Sequence, residues 1–311
     1  MPSVSSEPFP TAARIREVGP RDGFQNEPEP IATADKIRLI DALARTGLKR
    51  MEVASFVRAD VIPQLADAVE VLHGIDVPDD VSLTVLVPNE RGLQAALEHR
   101  ERFHDVALFL SASETHNQRN VNRPVAESLA AIERMAPVVR EAGLRCSTVI
   151  ATSFGCPYEG PVDQGRVLDL AGRIAAAGAD EVGFGDTTGM ANPRQVRGFF
   201  TAAREALLDV ELTAHLHNTR GQGLANALAA LEAGITSFES SFGELGGCPV
   251  PPGSTGNVAS EDLVSMFHEM GVETGIDLDA LIAVSSSVQE ILGRKLGSHV
   301  LVAGPVRWDG S

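Results

Sequence analysis

From Arg14 onward, short runs of β-branched and apolar residues alternate with longer amphipathic stretches, and the alternation repeats eight times. Repeated βα units around a parallel sheet produce this order. The predicted strands cover residues 15–18, 50–54, 82–87, 105–110, 145–151, 181–185, 212–217 and 237–241, with helical stretches such as 34–46 and 162–177 between them. Glycines at the expected helix ends (Gly47, Gly143, Gly178, Gly234) and the absence of a long Pro/Ser linker agree with one closed ring, an α/β (β/α)8 TIM barrel. Such barrels take about 250 residues as a single domain, which suits a chain of 311. A doubly wound open sheet is the competing architecture. Residues 14–273 are assigned to the barrel, 1–13 to a frayed N-terminus and 274–311, with one more helical stretch at 278–292, to a short C-terminal helical cap or packing segment.

Charge and composition remove several classes of function. Lys and Arg number 26 against 42 Asp and Glu, a net charge of −16 that disfavours nucleic acid and anionic membrane surfaces. No apolar run approaches the roughly 20 residues of a membrane-spanning helix. Three widely spaced cysteines are no disulfide scaffold, and the first residues carry neither a basic nor an apolar leader segment, so a reducing compartment, the cytoplasm, is expected.

In a barrel of this kind the chemistry sits on the loops after the strand C-termini. The first strand runs into Arg21-Asp22-Gly23-Phe24-Gln25-Asn26-Glu27, a cation, a carboxylate and two amides in one loop; alone it reads equally well as turn chemistry. The seventh strand carries His215-Leu216-His217, so both imidazoles point to the barrel interior while Leu216 faces the helices. Two inward imidazoles beside an acidic loop demand a shared partner, and a divalent cation meets that demand. His215, His217 and Asp22 supply nitrogen and oxygen ligands, and Asn257 in the later loop can add an amide oxygen. This mixed set suits Mg²⁺ or Mn²⁺, with Zn²⁺ the less favoured ion. Glu52, within the second strand, needs a partner such as Arg21. Asp186, at the end of the sixth, reads either as an active-site acid or as a cap of the following helix. Cys248 lies on a glycine-flanked loop, Gly246-Gly247-Cys248-Pro249, and reads as inert unless a metal or cation activates it.

Taken together, Arg16-Glu17-Val18-Gly19-Pro20-Arg21-Asp22-Gly23, Gln25-Asn26-Glu27, His215-Leu216-His217, and Leu245-Gly246-Gly247-Cys248-Pro249 through Gly256-Asn257 resemble the signatures of the 3-hydroxy-3-methylglutaryl-CoA lyase family, collinearly from about residue 14 to residue 272. The resemblance implies a metal-dependent barrel enzyme that cleaves a 3-hydroxy-3-alkylglutaryl-CoA into acetyl-CoA and a 3-oxo acid. Asp22, His215, His217 and Asn257 match the family's metal positions, Arg21 its enolate-stabilising arginine, Cys248 its loop thiol for proton transfer, and Glu52 and Asp186 its active-site acids. An acyl-CoA is the implied partner, and a homodimer is compatible with the resemblance. Four positions depart from the family's pattern: Pro28, Asn218, Arg220 and Val250. They raise the expectation that the acyl substituent differs from methyl, with Arg220 either meeting an additional substrate carboxylate or forming a surface ion pair. Gln25 is placed against the substrate. Arg58 and Arg119, on the loops after the second and fourth strands, are expected to meet the coenzyme A phosphates or to be simply solvated, as is Arg123.

A Claisen-condensing synthase of the isopropylmalate or homocitrate type shares the Arg-Asp loop and the His-x-His strand. Such synthases usually carry extensive C-terminal regions lacking here, and the Gly-Gly-Cys-Pro loop points to the lyases. The remaining alternative is a barrel that binds acyl-CoA without turnover.

Overall fold

Every expected strand forms, and each hydrogen-bonds in parallel to the next until the last closes on the first. The protein was studied as a computed structural model, which describes residues 9–247 and 256–308. The strands are β1 (Arg14–Glu17), β2 (Arg50–Ser55), β3 (Ser82–Leu86), β4 (Asp105–Ser111), β5 (Arg145–Ala151), β6 (Glu181–Asp186), β7 (Glu211–Leu216) and β8 (Ser237–Ser240). Helices α1 (Thr33–Leu43), α2 (Ala68–Gly74) and α3 (Glu90–Leu97) follow the first three strands. Two, α4 (Glu114–Val121) and α5 (Val125–Glu141), follow β4, because Asn122 turns left-handed (φ 55°) and stops the first. The outer ring continues through α6 (Gln164–Ala176), α7 (Pro193–Ala206), α8 (Gly223–Glu232) and α9 (Ser260–Glu269).

Each strand is covered on both faces, which sorts its side chains by parity. In β8, Phe238 turns outward and packs edge-on against Phe267 of α9 at 5.1 Å, while Glu239 turns inward. In β6, Phe184 meets Phe199 of α7 at 4.8 Å. The apolar core thus lies between the strands and the helices, and the barrel interior is left for polar groups.

Thr11–Ala13 do not fray as expected. The Ala13 amide donates to the Glu273 carbonyl and the Glu273 amide to that of Thr11, both at 2.9 Å, because an edge of backbone beside Glu273 needs its hydrogen bonds met. Beyond α9, α10 (Leu278–Leu292) packs against α1 and α9, and α11 (His299–Ala303) against α9. The Gly297 amide donates to the Gly243 carbonyl at 2.9 Å, so this segment also touches the loop after β8. Among the described residues no helix is long and apolar enough to cross a membrane.

Candidate active site

The loop after β1 is wound into a π-type turn, Gly19–Gly23, in which the amides of Arg21, Asp22 and Gly23 all return to the Val18 carbonyl at 2.7–3.3 Å. That winding aims the Arg21 and Asp22 side chains over the barrel mouth. Glu52 of β2 receives Arg21 in two-pronged fashion, Nε to Oε1 at 2.8 Å and Nη2 to Oε2 at 2.9 Å, and Arg21 Nη1 donates to Asp22 Oδ1 at 2.7 Å. The partner expected for Glu52 is therefore the one it has. Burial would raise Asp22, but the Arg21 guanidinium and the two imidazoles hold its carboxyl below the ordinary range.

His215 and His217 project from the end of β7 with their Nε2 atoms 3.1 Å apart. On the far side of its ring, His215 Nδ1 lies 2.8 Å from Glu239 Oε2; a carboxylate there can only accept, so Nδ1 carries the proton and Nε2 is turned to the site. Burial disfavours a charged His215, yet the hydrogen bond and charge of Glu239 raise its pKa above the ordinary imidazole value.

Asn257 arrives from the chain after β8. It bridges His217 in antiparallel fashion, with the Asn218 amide on the Gly256 carbonyl at 3.0 Å and the Val258 amide on that of Leu216 at 2.9 Å. Two glycines allow this crossing. A Cβ on Gly256 would sit 1.7 Å from the Glu244 carbonyl oxygen, and one on Gly246 (φ +102°) 2.5 Å from Asn257 Nδ2. Asn257 Nδ2 donates to Asp22 Oδ2 at 2.8 Å, while its Oδ1 is buried with no hydrogen-bond partner among the described residues.

Asp22, His215 and His217 each offer a ligand atom, all within 4.8 Å of one another. The orphaned Asn257 oxygen stands beside them, and a buried lone pair without a donor is costly unless a cation meets it. Charge agrees. The buried ion pairs of the barrel interior join three guanidiniums (Arg16, Arg21, Arg50) to five carboxylates (Asp22, Glu52, Asp105, Glu181, Glu239), leaving two negative charges in excess. The donor set therefore fits a divalent cation.

A cavity of about 480 Å³ opens above these groups, with Arg21, Asp22, Glu52, His215, His217 and Glu239 at its floor. Its wall on the β3–β5 side is apolar, formed by Leu86, Ala107, Phe109, Val149 and Ala151. Gln25 lines it too, with a buried Oε1 that has no partner among the described residues. Arg58, Arg119 and Arg123 are also on its lining. Arg58 is paired with Asp60, Nε to Oδ1 at 2.9 Å, and the Arg119 guanidinium lies 4.1 Å over the Tyr158 ring.

Two expected site residues do other work. Arg220 lies outside the cavity lining and forms no ion pair among the described residues; its Nη1 donates to the Thr188 and Gly189 carbonyls at 2.7 and 3.0 Å. Asp186 is also outside that lining. The cap of α7 is Asn192, whose Oδ1 accepts the Gln195 amide at 3.1 Å, and not Asp186 as the capping alternative had it; Asp186 Oδ1 accepts the Met190 and Ala191 amides, at 2.8 and 3.1 Å, in the loop before that helix. Its Oδ2 is buried without a partner among the described residues, and burial pushes the carboxyl up to about 7 against those two amides. Asn218 ties Glu244 Oε2 at 3.1 Å to the Gly223 amide, also at 3.1 Å, and Pro28 is exposed. Cys248 and Val250 lie outside the described residues.

Glu239, Arg16 and Glu17 were missed by sequence reasoning. The inward parity that selected the histidines also selects Glu239, flanked by Phe238 and Ser240, and Arg16, flanked by Ile15 and Glu17. Glu17 turns the other way, into the layer between barrel and helices, where it accepts the Gly19 and Phe242 amides and the Ser260 hydroxyl.

The HMGL-like family model matches residues 12–288. A hydroxymethylglutaryl-CoA lyase of Bacillus subtilis is 43% identical over 94% of this chain and 98% of its own length. An (R)-citramalyl-CoA lyase of Chloroflexus aurantiacus is 42% identical over 95% and 96%. Among solved structures, an HMG-CoA lyase from Acinetobacter baumannii in complex with coenzyme A and 3-methylmalate superposes with a TM-score of 0.91 at 39% identity, covering 96% of this chain and 97% of that one.

Proposed function

The chain belongs to the HMGL-like family, and from that premise we propose that it is a divalent-metal-dependent carbon–carbon lyase. It cleaves a 3-hydroxy-3-methylglutaryl-CoA-like thioester to acetyl-CoA and a 3-oxo acid, acetoacetate when the substituent is methyl. The observation that carries the reading is the convergence of Asp22, His215 and His217 beside Arg21 at the floor of one cavity.

Breaking the bond requires removing a proton from a tertiary hydroxyl while charge develops on the thioester oxygen. Asp22, His215, His217 and Asn257 would hold a divalent cation, which would supply Lewis-acid chemistry that lowers the pKa of that hydroxyl; the oxygen and nitrogen donors favour Mg²⁺ or Mn²⁺. Arg21 meets the developing enolate: Glu52 and Asp22 hold three of its N–H groups, which locks the guanidinium plane, and the rest remain on the cavity side. Glu52 thus positions Arg21. Two proton steps accompany the cleavage, removal of the hydroxyl proton by a base and delivery of a proton to the enolate carbon by an acid; Cys248, the loop thiol that the family resemblance gives to proton transfer, takes one of them and a carboxylate of the site the other. Gln25 orients the substrate, and Arg58, Arg119 and Arg123 meet coenzyme A phosphates at the mouth. The apolar wall from Leu86 to Ala151 takes the small alkyl substituent. Arg220 no longer argues for an extra substrate carboxylate, since backbone carbonyls hold it outside the cavity. The thiols of Cys146 and Cys156, buried and unbridged, accord with work in the reducing cytoplasm.

Incubation with Mn²⁺ and 3-hydroxy-3-methylglutaryl-CoA is expected to yield acetoacetate and acetyl-CoA without release of free thiol. Asp22→Asn should lower turnover and Mn²⁺ affinity by at least about 100-fold, beyond what loss of a supporting residue costs. Free thiol from a 2-oxo acid plus acetyl-CoA, with the lyase substrate untouched, would show a condensing synthase instead.

A further inference from the structure

Glu239 and Arg16 have no role in the reaction as derived so far, although both are buried and the first touches a proposed metal ligand. We infer that Arg16 is a positioning residue for the metal centre, acting through Glu239 on the imidazole of His215; the inference rests on the proposed metal site. The two oxygens of Glu239 are committed in opposite directions. Oε1 accepts Arg16 Nη1 at 2.7 Å and Oε2 accepts His215 Nδ1 at 2.8 Å. A carboxylate pinned at both ends cannot rotate, so it fixes the plane of the ring, keeps the proton on Nδ1 and presents the Nε2 lone pair to the cluster.

Arg16 is itself immobilised. Its Nη2 donates to Asp105 Oδ2 at 3.1 Å and Glu181 Oε2 at 2.8 Å, and the Thr213 hydroxyl holds the other oxygen of Glu181 at 2.7 Å. Strands β1, β4, β6, β7 and β8 are thereby joined beneath the site. Burying so many charges is no efficient route to stability, since apolar side chains of similar volume commonly do as well or better. Orientation of a ligand is the service that an apolar filling could not give. Arg50 provides the internal comparison: it pairs with Asp105 and Glu181 as Arg16 does, but its third partner is Glu211 and not Glu239.

The test uses the full-length protein with Glu239→Gln, Arg16→Lys and Arg50→Lys, each checked for native near-ultraviolet circular dichroism. In metal-free protein at alkaline pH, nitrogen NMR of labelled histidine is expected to show His215 protonated on Nδ1 in the wild type and in Arg50→Lys. In Glu239→Gln and Arg16→Lys, a measurable population should carry the proton on Nε2. The Mn²⁺ dissociation constant, from calorimetry, should rise by about 10- to 100-fold in Glu239→Gln and by on the order of 10-fold in Arg16→Lys, and stay within about twofold in Arg50→Lys. If Arg16→Lys does not fold, the double variant Arg16→Gln, Glu181→Gln, which removes one charge of each sign, carries the same readouts. An unchanged His215 tautomer in the variants of Arg16 and Glu239, or equal loss of Mn²⁺ affinity in Arg16→Lys and Arg50→Lys, overturns the inference. Failure of the wild type to bind Mn²⁺ at all overturns the proposed function as well; a tautomer shift alone would then confine Arg16 to holding a ring.

Discussion

Asn257 shows how one side chain can be committed at one end and open at the other. Its amide nitrogen donates to Asp22, while its oxygen is buried without a donor among the described residues. The parity of a strand made the two histidines legible, because period two forces residues 215 and 217 to one face whatever surrounds them. It could not tell that Asn257 would reach the same point, since loop residues have no period. Nor could it foresee Arg220, whose long side chain folds back on the Thr188 and Gly189 carbonyls; reach and partner are decided by tertiary neighbours. Arg119 can be tested at this scale. Replacing it with Ala should raise KM for the acyl-CoA substrate by about 10-fold, the loss of one charge-assisted contact of ~1.4 kcal/mol, with kcat within about twofold. Steady-state kinetics on the variant reads both numbers.

Among the elements, the first turn of the loop after β8 is held by two side chains from other parts of the chain. Glu17 accepts the Phe242 amide and Glu261 the Gly243 amide, so two buried carboxylates grip it. Burial pushes Glu17 from 4.5 up to about 8, against its three donors, and Glu261 up to about 7. A carboxyl whose folded value is raised keeps its proton longer in the folded than in the unfolded chain. Its contribution is full below the unfolded value and is lost as pH climbs through the folded one. The urea midpoint should therefore fall between about pH 5 and about pH 8, and Glu17→Gln should make that fall shallower, leaving the shares of Glu261 and Asp186. Further along the same loop, Gly246→Ala would drive a methyl group against Asn257 at a left-handed φ. We expect Mn²⁺ affinity to drop by about 10-fold or more, the loss typical of a displaced supporting group. The thermal midpoint should fall as well, since a Cβ in the left-handed region costs roughly 1–2 kcal/mol; calorimetric titration and a melt measure the two effects. The sequence told strand from helix through the switch of period from two to 3.6, whereas the break at Asn122 and the winding of the Gly19–Gly23 turn depend on contacts made only in the closed ring.

For the molecule as a whole, the closed ring was readable from eightfold repetition, and the charges inside it were not. Counting acidic residues gave a net −16 without saying that five carboxylates would be buried around three guanidiniums. A cation that neutralises this excess binds the folded chain and not the unfolded one. Protein stripped with a chelator should unfold at a lower temperature, and Mn²⁺ at a hundred times its dissociation constant should restore about 2.7 kcal/mol, read by calorimetry with and without the ion.

The hydrogen bond between Asp22 and Asn257 spans 235 positions of sequence. A ribosome making this protein has therefore passed all eight strands before both ends of that bond exist. Whatever folds early during synthesis, this contact cannot close until the loop after the eighth strand has been made, so assembly of the proposed site waits on the last βα unit of the barrel.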